Sequence, residues 1–426
     1  MVTIGNAAFG GCIGLRSITI PSSVMSIENV AFSGCVELMS VTIPNSVKSI
    51  GWSAFSGCTS LTSITIPNSV TNISNSVFSG CTNLTSIIVE NGNPTYDSRD
   101  NCNAIIETGT NTLIAGCKNT IIPDNVITIG DYAFYDCTSL ESITIPNSVT
   151  SINEGAFESC TSLSTLSLPY GVTTIGENAF YCCDNLTYIS IPNSVISIGD
   201  WAFADCINLT NVTLPNSLTC INASTFYLCE NLNSVNIPNS VTTIEEAAFD
   251  GCTALESIII PNSVNTIGLS AFGECTSLKT ITIPNSVTII DRWAFTRCTN
   301  LTTAIIGDGI KKIDHSAFSD CEGLTDFYCY AESVPTTDYE AFLWSNYTNA
   351  TLHVPSASIT TYKTQSPWNR FKSIVALTDS DPLPNSINIV RIESHKTNIF
   401  YDFSGRKMQA PKKGFYIMNG KKYIKK

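Results

Sequence analysis

Histidine is almost missing from this chain: only His315, His353 and His395 occur in 426 residues, in three separate segments. Their scatter gives no metal set and no Ser-His-Asp or Cys-His arrangement, which argues against the commonest hydrolytic chemistries. The 18 cysteines contain no Cys-x-x-Cys pair, so the spacing used by zinc sites is absent as well. No apolar run reaches 18 residues, which excludes a membrane-spanning helix. Charge is sparse at 13%, against 43% hydrophobic residues, and a chain of that balance folds. Basic residues are few and unevenly placed. The net charge is −13, yet residues 385–426 hold ten Lys or Arg against Glu393 and Asp402, a local +8, leaving −21 on the rest. An acidic body of that kind disfavours nucleic acid as a partner.

What the chain has instead is a metronome. Phenylalanine falls at Phe9, Phe32, Phe55 and Phe78, then from Phe134 at 23-residue steps to Phe318, and a cysteine follows each one three residues later. Repetition at this period signals units that cannot bury their apolar face alone and must stack. Leu61 to Cys81 serves as the type coil. Ile64 and Ile66 alternate with Ser63 and Thr65, the period-two pattern of a half-buried strand, and Pro67-Asn68-Ser69 ends it with turn chemistry. Val70 and Ile73 form a second short extended piece. Ala54, Phe55 and Cys58 stand at i, i+1 and i+4, which predicts one helical turn aiming all three inward. The expectation is a right-handed solenoid of parallel strands ~4.8 Å apart, mainly β with short helical turns.

The pattern L-x-x-I-x-I-P-x-x-V-x-x-I-G-x-x-A-F-x-x-C resembles the BspA-like leucine-rich repeat of bacterial surface proteins over residues 1 to about 325. The resemblance implies a leucine-rich-repeat solenoid of the horseshoe-like α/β class, displayed extracellularly or on the outer membrane. It also implies adhesion to host or extracellular proteins, fibronectin and fibrinogen among the ligands of such adhesins. Met1 to Gly5 aligns with Val47 to Gly51, halfway through a coil, so an upstream segment with any export signal is expected to be missing.

Three segments break the repeat. Between Phe78 and Phe134 the step is 56, or 23 plus an insert of 33, placed at about 85–122. Within it Cys102–Ile106 and Thr112–Cys117 flank Thr108–Asn111 as a hairpin, whose register puts Cys102 opposite Cys117. A disulfide fits there geometrically, and so does a pair of reduced facing thiols. The insert reads as an enlarged coil of the same core in preference to a ligand site. Residues 326–378 crowd aromatics together and read as a terminal cap. A linker at 379–384 leads to the basic module 385–426, where Ile399–Lys407 and Gly414–Lys422 suggest two strands with glycine turns. That tail is similar to the sorting domain of the type IX secretion system, although shorter; otherwise it is a small β appendage.

Candidate contact residues are those that depart from the repeat. Asp131, Glu154, Glu177 and Asp200, each three residues before a Phe, belong at the start of the helical turn and form a possible cation ladder. Tyr132, Trp201 and Trp293, one residue on, are outward contact anchors or rings lying flat on the next coil. Serine and threonine rails cover the sheet face, and Tyr188, Asn211 and Asn236 interrupt them. The repeated cysteines form a core column. No catalytic residue and no cofactor is assigned. The reading is a monomeric, non-enzymatic scaffold for an extracellular or host protein. A glycan-binding surface protein and a carbohydrate-active enzyme on a parallel β scaffold are the alternatives.

Overall fold

Alternation of small polar and branched apolar residues gives each coil its first strand. In Ser63–Ile66, Ile64 and Ile66 are buried while Ser63 and Thr65 face solvent. This strand lies parallel to Ser86–Val89 of the next coil, with Ser63 opposite Ser86 and Ile64 opposite Ile87. The same 23-residue register pairs Ser142–Thr144 with Thr165–Ser167, and Thr280–Ile283 with Thr303–Ile306. The Val-x-x-Ile segment makes a second row, in which Ser151–Ile152, Thr174–Ile175 and Ser197–Ile198 pair in parallel. The computed structural model describes residues 2–384 with 400–401, 407–408, 414–418 and 421–425, in two compact units, Met1–Asn385 and Ser386–Lys426.

The Phe segment corrects the expected helical turn. Around Phe203 the backbone is left-handed at Trp201 (φ 57°) and again at Asp205 (φ 58°), and most coils repeat this at the same two places. No helix tolerates such alternation. It instead aims three alternate N–H groups at the following coil: Trp201 donates to Ala223 O at 3.0 Å, Phe203 to Thr225 O at 3.0 Å and Asp205 to Tyr227 O at 2.7 Å. A left-handed non-glycine residue costs ~1–2 kcal/mol, and the inter-coil bonds offset it because they satisfy backbone groups that would otherwise be buried unpaired. Sequence spacing alone could not separate this turn from a helical one, since both carry Ala, Phe and Cys inward.

Inside, the two repeated residues stack in columns. Successive Phe rings lie 5.0 Å apart at Phe134–Phe157 and 5.2 Å at Phe180–Phe203, nearly parallel. From the second coil of each run, the column cysteine does more than fill space. Cys206 Sγ donates to Phe180 O at 3.2 Å, and Cys35, Cys160 and Cys252 make the same bond to the Phe of the coil before. Burial pushes the Cys160, Cys183 and Cys206 thiols well above their ordinary range, so they are inert donors and apolar spacers.

The insert forms the hairpin Ile105–Glu107 with Thr112–Ala115, its register shifted by a bulge between Ile105 and Ile106. Both of its faces are apolar. Ile105 and Ala115 join the core of the preceding coils, whereas Ala104, Ile106 and Leu113 join the core of the following ones. It is therefore a partition between two cores and not an enlargement of one. Residues after Asp326 close the second core with interlocked rings: Trp368 packs at 5.8 Å from Phe327 and 5.6 Å from Phe342, and its Nε1 donates to Thr337 Oγ1 at 3.1 Å. In the second unit Phe400–Tyr401, Lys407–Met408, Gly414–Met418 and Lys421–Lys425 form an antiparallel sheet. Residues 399, 402–406 and 419–420 of the two expected strands lie outside the described residues.

Candidate functional site

Two exceptions to the repeat meet on the sheet face. The turn that reads Pro-Asn-Ser in most coils is Pro169-Tyr170-Gly171 in one, and the rail position that is Ser or Thr in most coils is Tyr188 in the next. Gly171 is needed because a Cβ there would lie 2.5 Å from Asn147 O. Tyr170 stands 86% exposed and Tyr188 51%. Together with Thr144, Ser167, Ser190 and neighbouring apolar residues they line a groove of about 510 Å³. Parallel pairing lapses at the same place: Thr165–Ser167 pairs backward with Ser142–Thr144, while Tyr188–Ser190 pairs only forward with Asn211–Thr213.

The Thr213 and Ser190 hydroxyls beside the Tyr188 phenol draw its pKa below the usual tyrosine value. Asn211 Nδ2 donates to Ser234 Oγ at 3.2 Å, and Asn236 bridges to Ile259, so these two rail exceptions lie on later coils than the groove. The turn serine of many coils donates to a carbonyl one coil back, as Ser217 does to Val195 O and Ser240 to Leu218 O. Ser148 and Ser194, on the turns before and after Tyr170, are buried hydroxyls without a partner, as is Ser46 elsewhere.

The Phe ridge carries a different surface. Between Lys118 and Lys279 the chain has no Lys, Arg or His and sixteen Asp or Glu. Interleaved with these acids, Trp201 sits edge-on between Tyr181 at 6.5 Å and Tyr227 at 5.3 Å and remains 37% exposed. Tyr181 OH donates to Asp205 Oδ2 at 3.4 Å. Trp293, 39% exposed, packs against His315 under the Arg292 guanidinium. Tyr132 is half-buried and its hydroxyl donates to Glu154. The acids feel one another: burial, and secondarily Glu154, pushes Glu158 up to about 7, and burial followed by Glu274 pushes Asp250 up to about 6.

Asp131, Glu154, Glu177 and Asp200 follow one another on successive, hydrogen-bonded coils at the non-helical turn, and no helix dipole reaches them. Among the described residues no group of three or more His, Cys, Asp or Glu is placed to hold a metal ion. Cys102 and Cys117 are buried free thiols. The bulge turns them apart, Cys102 into the following core and Cys117 into the preceding one, and the bridge that the register allowed is not formed. Of the cysteines off the column, Cys182 and Cys220 are half-buried and Cys329 is buried. His315 lies near Asp338 and Glu340, while His353 meets Asp326 of the directly paired strand.

Sequence reasoning missed Tyr170 and the base-free stretch. Both have a signal: a ring where the repeat has Asn, and an uninterrupted absence of one sign of charge. A family profile described as "BspA type Leucine rich repeat region" matches six copies over residues 1–107, 113–233, 173–302 and 251–366. A leucine-rich repeat protein of Bacteroides ovatus is 28% identical, covering 77% of this chain and 82% of its own, with a TM-score of 0.55. A leucine-rich repeat protein of Eubacterium ventriosum is 22% identical over 81% of this chain and 80% of its own (TM-score 0.41). A leucine rich cell surface protein of Faecalibacterium prausnitzii is 22% identical over 86% and 88% (TM-score 0.38). None of the curated proteins matches the chain. Among the described residues no helix is long and apolar enough to cross a membrane.

Proposed function

The chain belongs to the BspA-type leucine-rich repeat family, and we propose that it is a non-enzymatic scaffold at the bacterial surface, binding an extracellular or host protein along its Phe ridge. The base-free acidic stretch carries this reading. Seven coils without a cation set a uniformly negative ridge, which steers a partner presenting Lys and Arg and repels anionic ones. Trp201, held upright by Tyr181 and Tyr227, supplies an exposed aromatic anchor amid those charges. Surface display accords with the family and with the cell-surface relative of F. prausnitzii. The basic tail supplies the export address, and the scaffold acts as a monomer.

Surface plasmon resonance against a panel of matrix proteins, fibronectin and fibrinogen included, tests this. Binding is expected to weaken between 50 and 200 mM salt, conditions chosen to span the screening range, and to fall on Trp201→Ala with the melting temperature nearly unchanged. Binding to none of the panel, or binding indifferent to both salt and Trp201, contradicts it. Deleting residues 385–426 is expected to abolish surface display, and normal display of the shortened chain removes the tail's proposed role.

A further inference from the structure

We propose that the groove between Tyr170 and Tyr188 is a binding site for an uncharged saccharide, separate from the ridge and independent of the protein partner. The first support is that both tyrosines break the repeat, in adjacent coils, and line the same groove. In an array whose rail positions are mostly Ser or Thr and whose turns are mostly Pro-Asn-Ser, two rings lining one groove are not required by stacking. Nothing in the packing holds them either, since both are largely exposed.

The lining chooses the ligand class. None of the groove's residues is charged; it joins tyrosine rings and aliphatic side chains to the hydroxyls of Thr144, Ser167 and Ser190 and the amide of Asn147. A pyranose has the matching character, with an apolar C–H face to lie on an aromatic ring and hydroxyls at its rim for Ser, Thr and Asn. A volume of about 510 Å³ falls within the range of small-ligand sites. Sialylated or sulfated sugars are disfavoured, because the groove lies wholly inside the stretch from Lys118 to Lys279 that contains no Lys, Arg or His. The turns of the coils on either side of Tyr170 carry buried hydroxyls, Ser148 and Ser194, that have no partner.

The test is an array of neutral hexose- and N-acetylhexosamine-containing oligosaccharides beside their sialylated and sulfated counterparts, followed by titration calorimetry with the best neutral binder. Neutral sugars are expected to bind and charged ones to bind less. Tyr188→Ala and Tyr170→Ala should each weaken the interaction roughly tenfold or more. Tyr188→Phe should retain most of it, and Trp201→Ala should leave it unchanged. Absence of neutral-sugar binding, preference for the charged sugars, or tyrosine variants that bind like wild type overturns the proposal. Loss of matrix-protein binding on Tyr188→Ala without any sugar binding also overturns it, assigning the groove to the protein partner. Failure of the ridge reading shows instead as insensitivity to Trp201 in the protein panel and leaves the sugar result standing.

Discussion

Phe203 and Phe78 occupy the same place in the same motif, yet their surroundings differ. Phe203 lies between Phe180 and Phe226 at 5.2 and 5.8 Å and is fully buried. Phe78 stacks on Phe55 at 6.0 Å, tilted by 22°, and is 7% exposed with its partner Cys81. Beyond it the hairpin intervenes, and the next ring of the column, Phe134, rests on Gly116, where a Cβ would come within 2.1 Å of the ring. A repeat residue is thus worth what its neighbours on both sides make it worth. The uniform part of this molecule is stabilised by nearest-neighbour contacts, and its individuality resides where one neighbour is missing or replaced.

The largest effect should come from removing a ring with neighbours on both sides. Phe203→Ala is expected to cost ~3–5 kcal/mol, and Phe78→Ala clearly less, in denaturant unfolding followed by circular dichroism. Equal losses would deny the difference between interior and junction. Gly116→Ala sharpens it from the other side: overpacking against Phe134 should cost ~1–3 kcal/mol, while Gly109→Ala in the open hairpin loop should cost far less, because no atom lies within 4 Å of its added Cβ. Cys206→Ala removes a small apolar volume and the bond to Phe180 O, and a loss of ~1 kcal/mol is expected. A loss of that size also at Cys12, which is exposed, would argue that the column is not what matters.

The smallest effect concerns the acidic ridge. Burial and Glu154 raise the Glu158 pKa in the folded chain to about 7, above its unfolded value, so the folded form holds a proton that the unfolded form has lost at intermediate pH. Stability therefore declines as pH rises from the unfolded carboxyl range through 7, and the full penalty is present above it. Glu158→Gln should raise stability at pH 8 by about 1 kcal/mol, after discounting for the group's partial exposure, and leave it nearly unchanged at pH 4. The same gain at both pH values would mean that ionisation is not the cause.

Much of this was readable in the chain. The Ser/Thr rails, the inward Ile pairs and the Phe and Cys columns follow from a period of 23, because every coil repeats the same burial decision. The Phe turn was not, since helical and alternating left-handed backbones place Ala, Phe and Cys on the same side. The direction of Cys102 and Cys117 depended on one bulge, which strand register cannot announce. Tyr188 was visible as an interruption of a rail, but Tyr170 became its partner only when adjacent coils were stacked and the sheet pairing between them lapsed. Trp201 was seen as an outward ring, and the tyrosines that keep it upright come from neighbouring coils at positions the motif leaves variable.

That recognition resides in departures from the repeat is tested most directly by restoring the repeat. A variant carrying Tyr170→Asn, Tyr188→Ser and Trp201→Ser should be compared with wild type for melting temperature and for binding to the matrix-protein panel and the neutral-sugar array. The expected result is a melting temperature within a few degrees of wild type, and loss of both binding activities. A variant that folds equally well and still binds as wild type would contradict the account.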